Sequence, residues 1–136
     1  MYLLDTDTII YSLKGKKEVV KNLQLHAKEP KAISVITYGE LLYGAWKSQQ
    51  IAKNLAKIHR LRDIFPIIEL SCSIMDTFGN LKAKLNNNGI VVDDFDLLIG
   101  STALAMGYSI VTNNEKHFSK IPDLSLENWT HNPIKK

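Results

Sequence analysis

The sequence predicts an α/β fold with a mainly parallel central sheet of four to five strands and helices on both faces. Short apolar runs that suit buried strands alternate with longer segments whose apolar residues keep helical spacing. With 136 residues, of which 45% are hydrophobic, the chain can bury one core and has the composition of a globular protein. We therefore assign residues 1–130 to a single domain and residues 131–136 to a short, flexible basic tail.

Residues that begin or end helices set the predicted elements. Gly15 and Pro30 end the first two helices, and Gly107 ends the sixth. Ser34 and Ser71 are suited to cap helices that follow strands. The predicted strands lie at residues 2–4, 32–33, 66–70, 108–112 and 124–126. The predicted helices lie at residues 9–13, 16–28, 35–48, 50–63, 72–85 and 94–106, and residues 113–115 form a polar turn.

Composition excludes several classes of protein. Cys72 is the only cysteine, so neither an intrachain disulfide nor a cysteine-based zinc site is expected. The histidines have no ligand spacing and are interpreted as surface residues: His26, His59, His117 and His131. The N-terminus has no basic leader, and no apolar run approaches the ~18 residues of a membrane span. We expect a cytoplasmic protein without a membrane partner, and the net charge of +3 slightly favours anionic partners.

Acidic side chains come from three separate parts of the predicted sheet. Asp5 follows the first strand, Glu40 stands inside an otherwise apolar helix, and Asp96 lies in the first turn of the helix before the fourth strand. Asn113 and Asn114 follow that fourth strand. Sites in parallel sheets gather at the carboxyl ends of strands, where the strand order reverses. We therefore expect these acids to converge on one edge of the sheet.

Two interpretations of the acids remain open from the residues alone. Residues 5–8 and the acids Asp93, Asp94 and Asp96 could simply cap helices, where a carboxylate is favoured by about 0.3–1 kcal/mol. Capping does not account for Glu40 within an apolar helix. The alternative is a site for Mg²⁺ or Mn²⁺, because clustered carboxylates repel each other unless a cation neutralises them. Such a site indicates phosphate chemistry, with attack by metal-activated water.

A first resemblance is short. Asp5-Thr6-Asp7-Thr8 after an apolar strand resembles the first motif of haloacid-dehalogenase-type phosphatases, in which the first Asp is the nucleophile and the second the acid. The rest of the chain departs from that pattern, because no convincing Lys motif precedes the late acids and residues 93–96 lead into a helix.

A second resemblance covers nearly the whole chain. Five segments in this order are similar to PIN-domain ribonucleases, specifically VapC toxins: 2–7, 33–44, 94–100, 110–115 and 126–129. The resemblance implies a PIN-like three-layer sandwich and a metal-dependent endoribonuclease. Matched by motif, Asp5, Glu40 and Asp96 form the acidic metal-binding and catalytic triad. Secondary positions beside it are Thr6, Thr112 and Asn114.

The same resemblance implies cofactors and partners. It implies Mg²⁺, for which Mn²⁺ substitutes, a cognate VapB antitoxin that blocks the site, a homodimer, and binding to operator DNA through the antitoxin complex. The chain looks most like the branch that cuts initiator tRNA, so tRNA is the favoured RNA.

The chain departs from the family pattern at three places. Asp7 stands where the family usually has Asn, and Asn114 where many PIN domains carry a fourth acid. Gly100-Ser101 replaces a pair of small residues beginning with Ala, which we expect to change packing only. Asp93 and Asp94 are interpreted as caps or outer-shell acids.

The helix at 50–63 presents a basic face that suits RNA phosphates, although an ordinary solvated face explains the same residues. Its candidates for RNA binding are Lys47, Lys53, Lys57, Arg60 and Arg62. Tyr11, Tyr43 or Trp46 could stack on splayed bases, but core packing is the expected role of Tyr43 and Trp46. An apolar face that suits dimer or antitoxin contacts, or a buried core, comprises Leu41, Leu42, Ala45, Ile51 and Leu55. A catalytically idle RNA-binding module remains a further alternative to the nuclease.

Overall fold

A computed structural model describes residues 1–133 of the chain. Five strands form one sheet: β1 (Tyr2–Leu4), β2 (Lys31–Ser34), β3 (Ile67–Ile68), β4 (Ser109–Val111) and β5 (Leu126–Glu127). The helices are α1 (Thr6–Leu13), α2 (Lys17–Leu25), α3 (Val35–Trp46), α4 (Ile51–Ile64), α5 (Cys72–Asn87), α6 (Asp94–Met106) and α7 (Glu115–Phe118). Within residues 1–133, no helix is long and apolar enough to cross a membrane.

The sheet is parallel throughout, with the strand order β3-β2-β1-β4-β5. The chain runs outwards from the central strand β1 to β3 and then returns to β4 on the other side of β1. The order of strands therefore reverses between β1 and β4, where Leu4 is in register with Val111. This topology confirms the predicted parallel α/β fold and places a switch point directly before Asp5.

Two hydrophobic clusters lie on opposite faces of the sheet, because successive strand side chains point to opposite sides. Leu3 and Ile110 belong to the cluster that includes residues of α5 and α6. Leu4 and Val111 belong to the cluster that includes residues of α1, α3 and α4. This alternation produces the three layers that the resemblance implies.

Several elements differ from the predicted ones. Helix α1 begins at Thr6 rather than near Ile9, since Asp5 itself is the N-cap. The last strand lies at 126–127 instead of 124–126. Helix α7, which begins at the end of the polar turn predicted for residues 113–115, is not among the predicted helices. It forms because Phe118 is fully buried in the core and anchors the segment.

The apolar surface of α3 is distributed differently from the prediction. Tyr43 and Trp46 are 66% and 62% exposed, so the expected core role of both aromatic residues is wrong. Leu41 and Ala45 are buried in the core and are not available to a partner, whereas Ile51 is 40% exposed. Of the three aromatic residues of the helix, Tyr38 packs against the core, while the rings of Tyr43 and Trp46 are exposed.

The four histidines are predicted to be surface residues, but His26 is partly buried. The ring of His26 stacks on Trp129 at a centroid distance of 4.7 Å, with Tyr2 edge-on to both rings. The predicted tail begins at His131, whose carbonyl oxygen accepts a hydrogen bond from the buried Asn22 amide. Residues 134–136 of the predicted tail lie outside the described residues.

Candidate active site

A cleft of about 400 Å³ opens at the carboxyl edge of the sheet, beside the switch point between β1 and β4. Four carboxylates line it, and they come from the end of β1, from α1, from α3 and from α6. The lining residues are Asp5, Thr6, Asp7, Ile10, Glu40, Asp96, Asn113 and Asn114. The structure therefore brings the three predicted triad residues to one cleft, together with Asp7 and Asn114.

Asp5 is the most buried of these acids, with 5% of its surface exposed. As the N-cap of α1, it accepts a hydrogen bond from the Thr6 backbone N–H at Oδ1, at 2.8 Å. Its Oδ2 accepts a bond from the Thr112 hydroxyl at 2.7 Å. Burial, and then the charge of Asp7, raise the pKa of Asp5 to about 7. Both oxygens are oriented, and the carboxyl ionises far less readily than an ordinary aspartate, so a bound cation would favour its charged form.

Glu40 is joined to the end of β1 through Thr6. The Thr6 hydroxyl lies 2.8 Å from Oε1 of Glu40 and 3.2 Å from the hydroxyl of Thr37, which is buried one turn before Glu40 on α3. Burial raises the pKa of Glu40, and the Thr6 hydrogen bond opposes this shift. An acid inside an apolar helix is therefore explained by the cleft that it lines.

Asp96 reaches the cleft from the first turn of α6, while its neighbours have other roles. Asp93 is the N-cap and accepts from the backbone N–H groups of Phe95 and Asp96 at 3.1 and 3.4 Å. Asp94 forms an ion pair with Lys82 at 2.9 Å and does not line the cleft. Of the three clustered acids, only Asp96 faces Asp5 and Glu40.

Asp7 adds a carboxylate to the cleft at a position where the resemblance implies that Asn is usual. Its Oδ2 accepts from the Asn113 backbone N–H at 3.1 Å, so it ties α1 to the loop after β4. Its Oδ1 lies 3.3 Å from the Thr8 hydroxyl. Burial raises the pKa of Asp7 as it does that of Asp5. Two neighbouring acids with raised pKa values thus share this end of the cleft.

His117 is a residue of the site that the sequence analysis missed. Its Nδ1 lies 3.0 Å from Oδ2 of Asp96 and 2.9 Å from Nδ2 of Asn114. The Asn114 backbone N–H donates to the Thr112 hydroxyl oxygen at 2.9 Å, and that hydroxyl donates to Asp5. The segment 112–117 consequently links Asp5 to Asp96 by side-chain and backbone hydrogen bonds. The only signal in the sequence was the position of this histidine three residues after Asn114.

The donor set suits a hard divalent cation. The polar side chains that line the cleft offer mainly oxygen atoms, the ligands that Mg²⁺ and Mn²⁺ prefer. In the arrangement that the described residues adopt, no three His, Cys, Asp or Glu side chains stand close enough together to hold a metal ion. Burial, and secondarily the neighbouring carboxylates, raise the pKa values of Asp5 and Glu40, and a bound cation would oppose both shifts.

The predicted basic residues are all exposed, but they lie outside the cleft lining. Lys53, Lys57 and Arg60 lie on α4, and the Lys47 ammonium lies 5.0 Å from the centre of the Tyr43 ring. A second, larger cavity of about 1010 Å³ is bordered by Tyr2, His26 and Trp129 and by none of the triad acids.

Comparison with known proteins identifies the family. The PIN domain family model matches residues 2–124. Ribonuclease VapC2 of Rickettsia felis is 38% identical over 131 residues, covering 95% of this chain and 98% of its own. The tRNA(fMet)-specific endonuclease VapC of Salmonella typhimurium is 31% identical over 128 residues, covering 94% and 97%.

Solved structures agree with the sequence relatives. The VapBC2 complex of Rickettsia felis bound to a promoter DNA fragment contains a chain that superposes with a TM-score of 0.87 at 38% identity, covering 94% of this chain and 98% of that chain. The DNA-bound VapBC complex of Salmonella typhimurium gives 0.87 at 31% identity, with 94% and 97% covered. The acidic cleft lies on a fold shared with these proteins along almost their entire length. This chain belongs to the PIN-domain family and is one of its VapC ribonucleases.

Proposed function

We propose that this chain is the toxin of a toxin–antitoxin pair, a Mg²⁺-dependent endoribonuclease that cuts a structured RNA, with tRNA as the favoured substrate. The observation that carries the proposal is the convergence of Asp5, Glu40 and Asp96 from three separate elements on one cleft at the switch point of the sheet. Two relatives at 31% and 32% identity, from Salmonella typhimurium and Shigella flexneri, are named tRNA(fMet)-specific endonucleases, which supports tRNA.

Asp5, Glu40 and Asp96 would hold the metal, and Mn²⁺ would substitute for Mg²⁺ because both accept oxygen ligands. When bound, the ion supplies a Lewis acid that polarises the phosphodiester and makes water acidic enough to attack at neutral pH. Thr112 and Thr6 donate hydrogen bonds to Asp5 and Glu40, and these bonds fix the carboxylates in the cleft. Asn114 supports Thr112 through its backbone N–H.

Asp7 has a supporting role in this proposal. Its carboxylate accepts the Asn113 N–H, so it holds the loop after β4 against α1. Its charge also raises the pKa of Asp5, so it increases the need for a cation in the cleft. The PIN family match over residues 2–124 leaves no basis for the alternative phosphatase, in which Asp5 and Asp7 would be nucleophile and acid.

RNA would be held by the basic surface of α4 and the end of α3. The segment 47–62 carries five exposed basic residues and no acid, and Lys53, Lys57 and Arg60 share one face of α4 that would attract a polyanion. Those five are Lys47, Lys53, Lys57, Arg60 and Arg62. The exposed rings of Tyr43 and Trp46, on the helix that carries Glu40, are available to stack on unpaired bases.

The proposal includes a cognate VapB antitoxin, a homodimer and operator DNA bound through the antitoxin. The solved Rickettsia felis and Salmonella typhimurium complexes are VapBC bound to DNA, which supports an antitoxin partner. Exposed apolar side chains near the cleft, Ile10 on α1 and Tyr43 on α3, offer contact surface for it. Since tRNA is a cytoplasmic substrate, we place the activity in the cytoplasm. The proposed domain is 1–130, with 131–136 outside it.

Substitution of the acids tests the nuclease. Asp5→Ala and Asp96→Ala should each abolish cleavage of an initiator tRNA transcript in Mg²⁺ and relieve growth arrest on expression, while circular dichroism shows an intact fold. Asp94→Ala is the matched control, because this acid pairs with Lys82 outside the cleft and its loss should leave cleavage unchanged.

Retained cleavage in both triad variants would refute the proposal. An idle RNA-binding module would bind the transcript in EDTA and leave it uncut when Mg²⁺ is restored. Cleavage of another structured RNA, with tRNA left intact, would support the nuclease activity but show that tRNA is not the substrate.

A further inference from the structure

His117 contacts one carboxylate of the acidic cleft, although it is distant from that residue in sequence. Its Nδ1 lies 3.0 Å from Oδ2 of Asp96, across 21 positions of the chain. The side chain of Asp96 is 19% exposed and that of His117 is 48% exposed. The contact is therefore partly sheltered from water, where a hydrogen bond to a carboxylate is stronger than at a fully exposed surface.

The packing of α7 on α6 fixes this contact. Phe118, next to His117, is fully buried, and Ile121 is 3% exposed. A Cβ atom at Gly100 of α6 would lie only 2.5 Å from Cδ1 of Ile121 and 3.7 Å from Cδ1 of Phe118. Gly100, one turn after Asp96 on α6, thus makes room for Ile121, which directly follows the segment of α7. His117 reaches Asp96 from a backbone held in place by the core.

The two neighbours of the His117 ring determine whether its Nδ1 donates or accepts a hydrogen bond. A ring nitrogen carries at most one hydrogen, and an ionised carboxylate only accepts. Nδ1 lies near both Oδ2 of Asp96 and the amide nitrogen of Asn114, so it either donates to the first or accepts from the second. A hydrogen bond to a charged acceptor is about twice as strong as a neutral one, which favours donation to Asp96. In that arrangement the Asn114 amide would present its oxygen, in place of its nitrogen, to the ring.

We propose that His117 is a positioning residue, whose Nδ1–H donates to Oδ2 of Asp96, so that Oδ1 would remain available to a divalent cation in the cleft. This inference rests on the proposed metal-dependent function. Partners that orient a metal-ligating side chain typically contribute about 10- to 100-fold to metal affinity or activity. His117 is such a partner, supplied by the short helix that follows β4.

The test is titration of the full-length protein with Mn²⁺ by calorimetry, which needs no RNA and no turnover. His117→Ala should weaken Mn²⁺ binding about 10-fold or more, within the range found for lost orienting partners. His117→Asn should stay close to wild type, because its amide Nδ2–H can donate from nearly the position of the histidine Nδ1. His59→Ala, an exposed histidine of α4, is the matched control and should bind Mn²⁺ unchanged.

Unchanged affinity in His117→Ala would overturn the inference. An equal loss in His117→Ala and His117→Asn would also overturn it, since the imidazole and not the donated hydrogen would then be required. Asp96→Ala separates the two proposals: if it keeps wild-type Mn²⁺ affinity, the metal site itself is wrong. If Asp96→Ala loses the ion and His117→Ala keeps it, only the positioning role fails. Thermal unfolding without metal checks each fold, and His117→Leu replaces His117→Ala if the latter does not fold.

Discussion

Replacing Asp5 by Asn should stabilise the metal-free protein while it abolishes RNA cleavage. Asp5 is 5% exposed, and burial raises its pKa from 3.8 to about 7. A group whose pKa is raised by folding contributes stability below its unfolded pKa and loses that stability as pH rises through the folded value. Asp5 therefore weakens the fold progressively between about pH 4 and pH 7, and an uncharged Asn removes this penalty.

The shift from 3.8 to about 7 corresponds to an upper limit of about 4 kcal/mol at pH 8. Part of the gain is lost, because Asn offers only one acceptor oxygen and both Asp5 oxygens accept hydrogen bonds. The Thr112 hydroxyl would lose its acceptor, at a cost of about 1–2 kcal/mol. We expect Asp5→Asn to be more stable than wild type by about 2–3 kcal/mol at pH 8 in EDTA, after that loss.

Urea unfolding at pH 8 and pH 5 in EDTA measures this difference. At pH 5 the wild-type Asp5 is protonated in the folded state, so the advantage of Asn should shrink by about 2–3 kcal/mol. Added Mg²⁺ should stabilise wild type, because an ion that binds only the folded state raises its stability. It should leave Asp5→Asn unaffected, since that variant lacks one of the carboxylates proposed to bind the ion. Asp94→Asn is the exposed control. The reasoning would be refuted if Asp5→Asn were no more stable than wild type at pH 8. It would also be refuted if the stability difference between the two proteins were the same at pH 8 and pH 5.

Three further predictions concern the neighbours of the cleft. Gly100→Ala should destabilise the fold by about 1–3 kcal/mol through the clash with Ile121, and adding Ile121→Val should restore most of the urea midpoint. Thr112→Val removes the donor to Asp5 and the acceptor of an N–H, so unfolding in EDTA should show a loss of about 1–3 kcal/mol and Mn²⁺ titration a weaker affinity. Replacing three basic residues of α4 by Gln should reduce the slope of log affinity against log salt by about 2, measured with single-stranded RNA in EDTA. That triple variant is Lys53→Gln, Lys57→Gln and Arg60→Gln. An unchanged salt slope, a Gly100→Ala midpoint equal to wild type, or a fully stable Thr112→Val would contradict the respective prediction.

The sheet and most helices could be predicted because their signals are local. Strand residues such as Leu3 and Leu4 alternate between the two hydrophobic clusters, and Ser34 and Ser71 cap the helices that they precede. The cleft could be predicted because a parallel sheet brings the carboxyl ends of its strands to one edge. The location of Asp5 in the cleft could be predicted from its position at the end of β1 alone.

The exposure of a helix face could not be predicted from its composition. Helix α3 is apolar on nearly every side, so its sequence does not distinguish residues that face the core from those that face solvent. Leu41 and Ala45 lie in the buried cluster that includes residues of α4, while Tyr43 and Trp46 are exposed. Which of these residues are buried is determined by the packing of α3 against other elements, including α4, and not by the local sequence.

His117 shows why part of a site escapes sequence reasoning even when its fold is known. A lone histidine in a polar segment carries no ligand spacing, and its role depends on a contact with Asp96 that neither residue encodes locally. That contact exists because Phe118 is drawn into the core and Gly100 leaves space for the segment that follows it. Gly100, where the sequence predicts only a change of packing, thus lies beside the segment that carries the histidine to a carboxylate of the site. The same close packing means that a substitution at Gly100 should disturb the orientation of Asp96 without touching it.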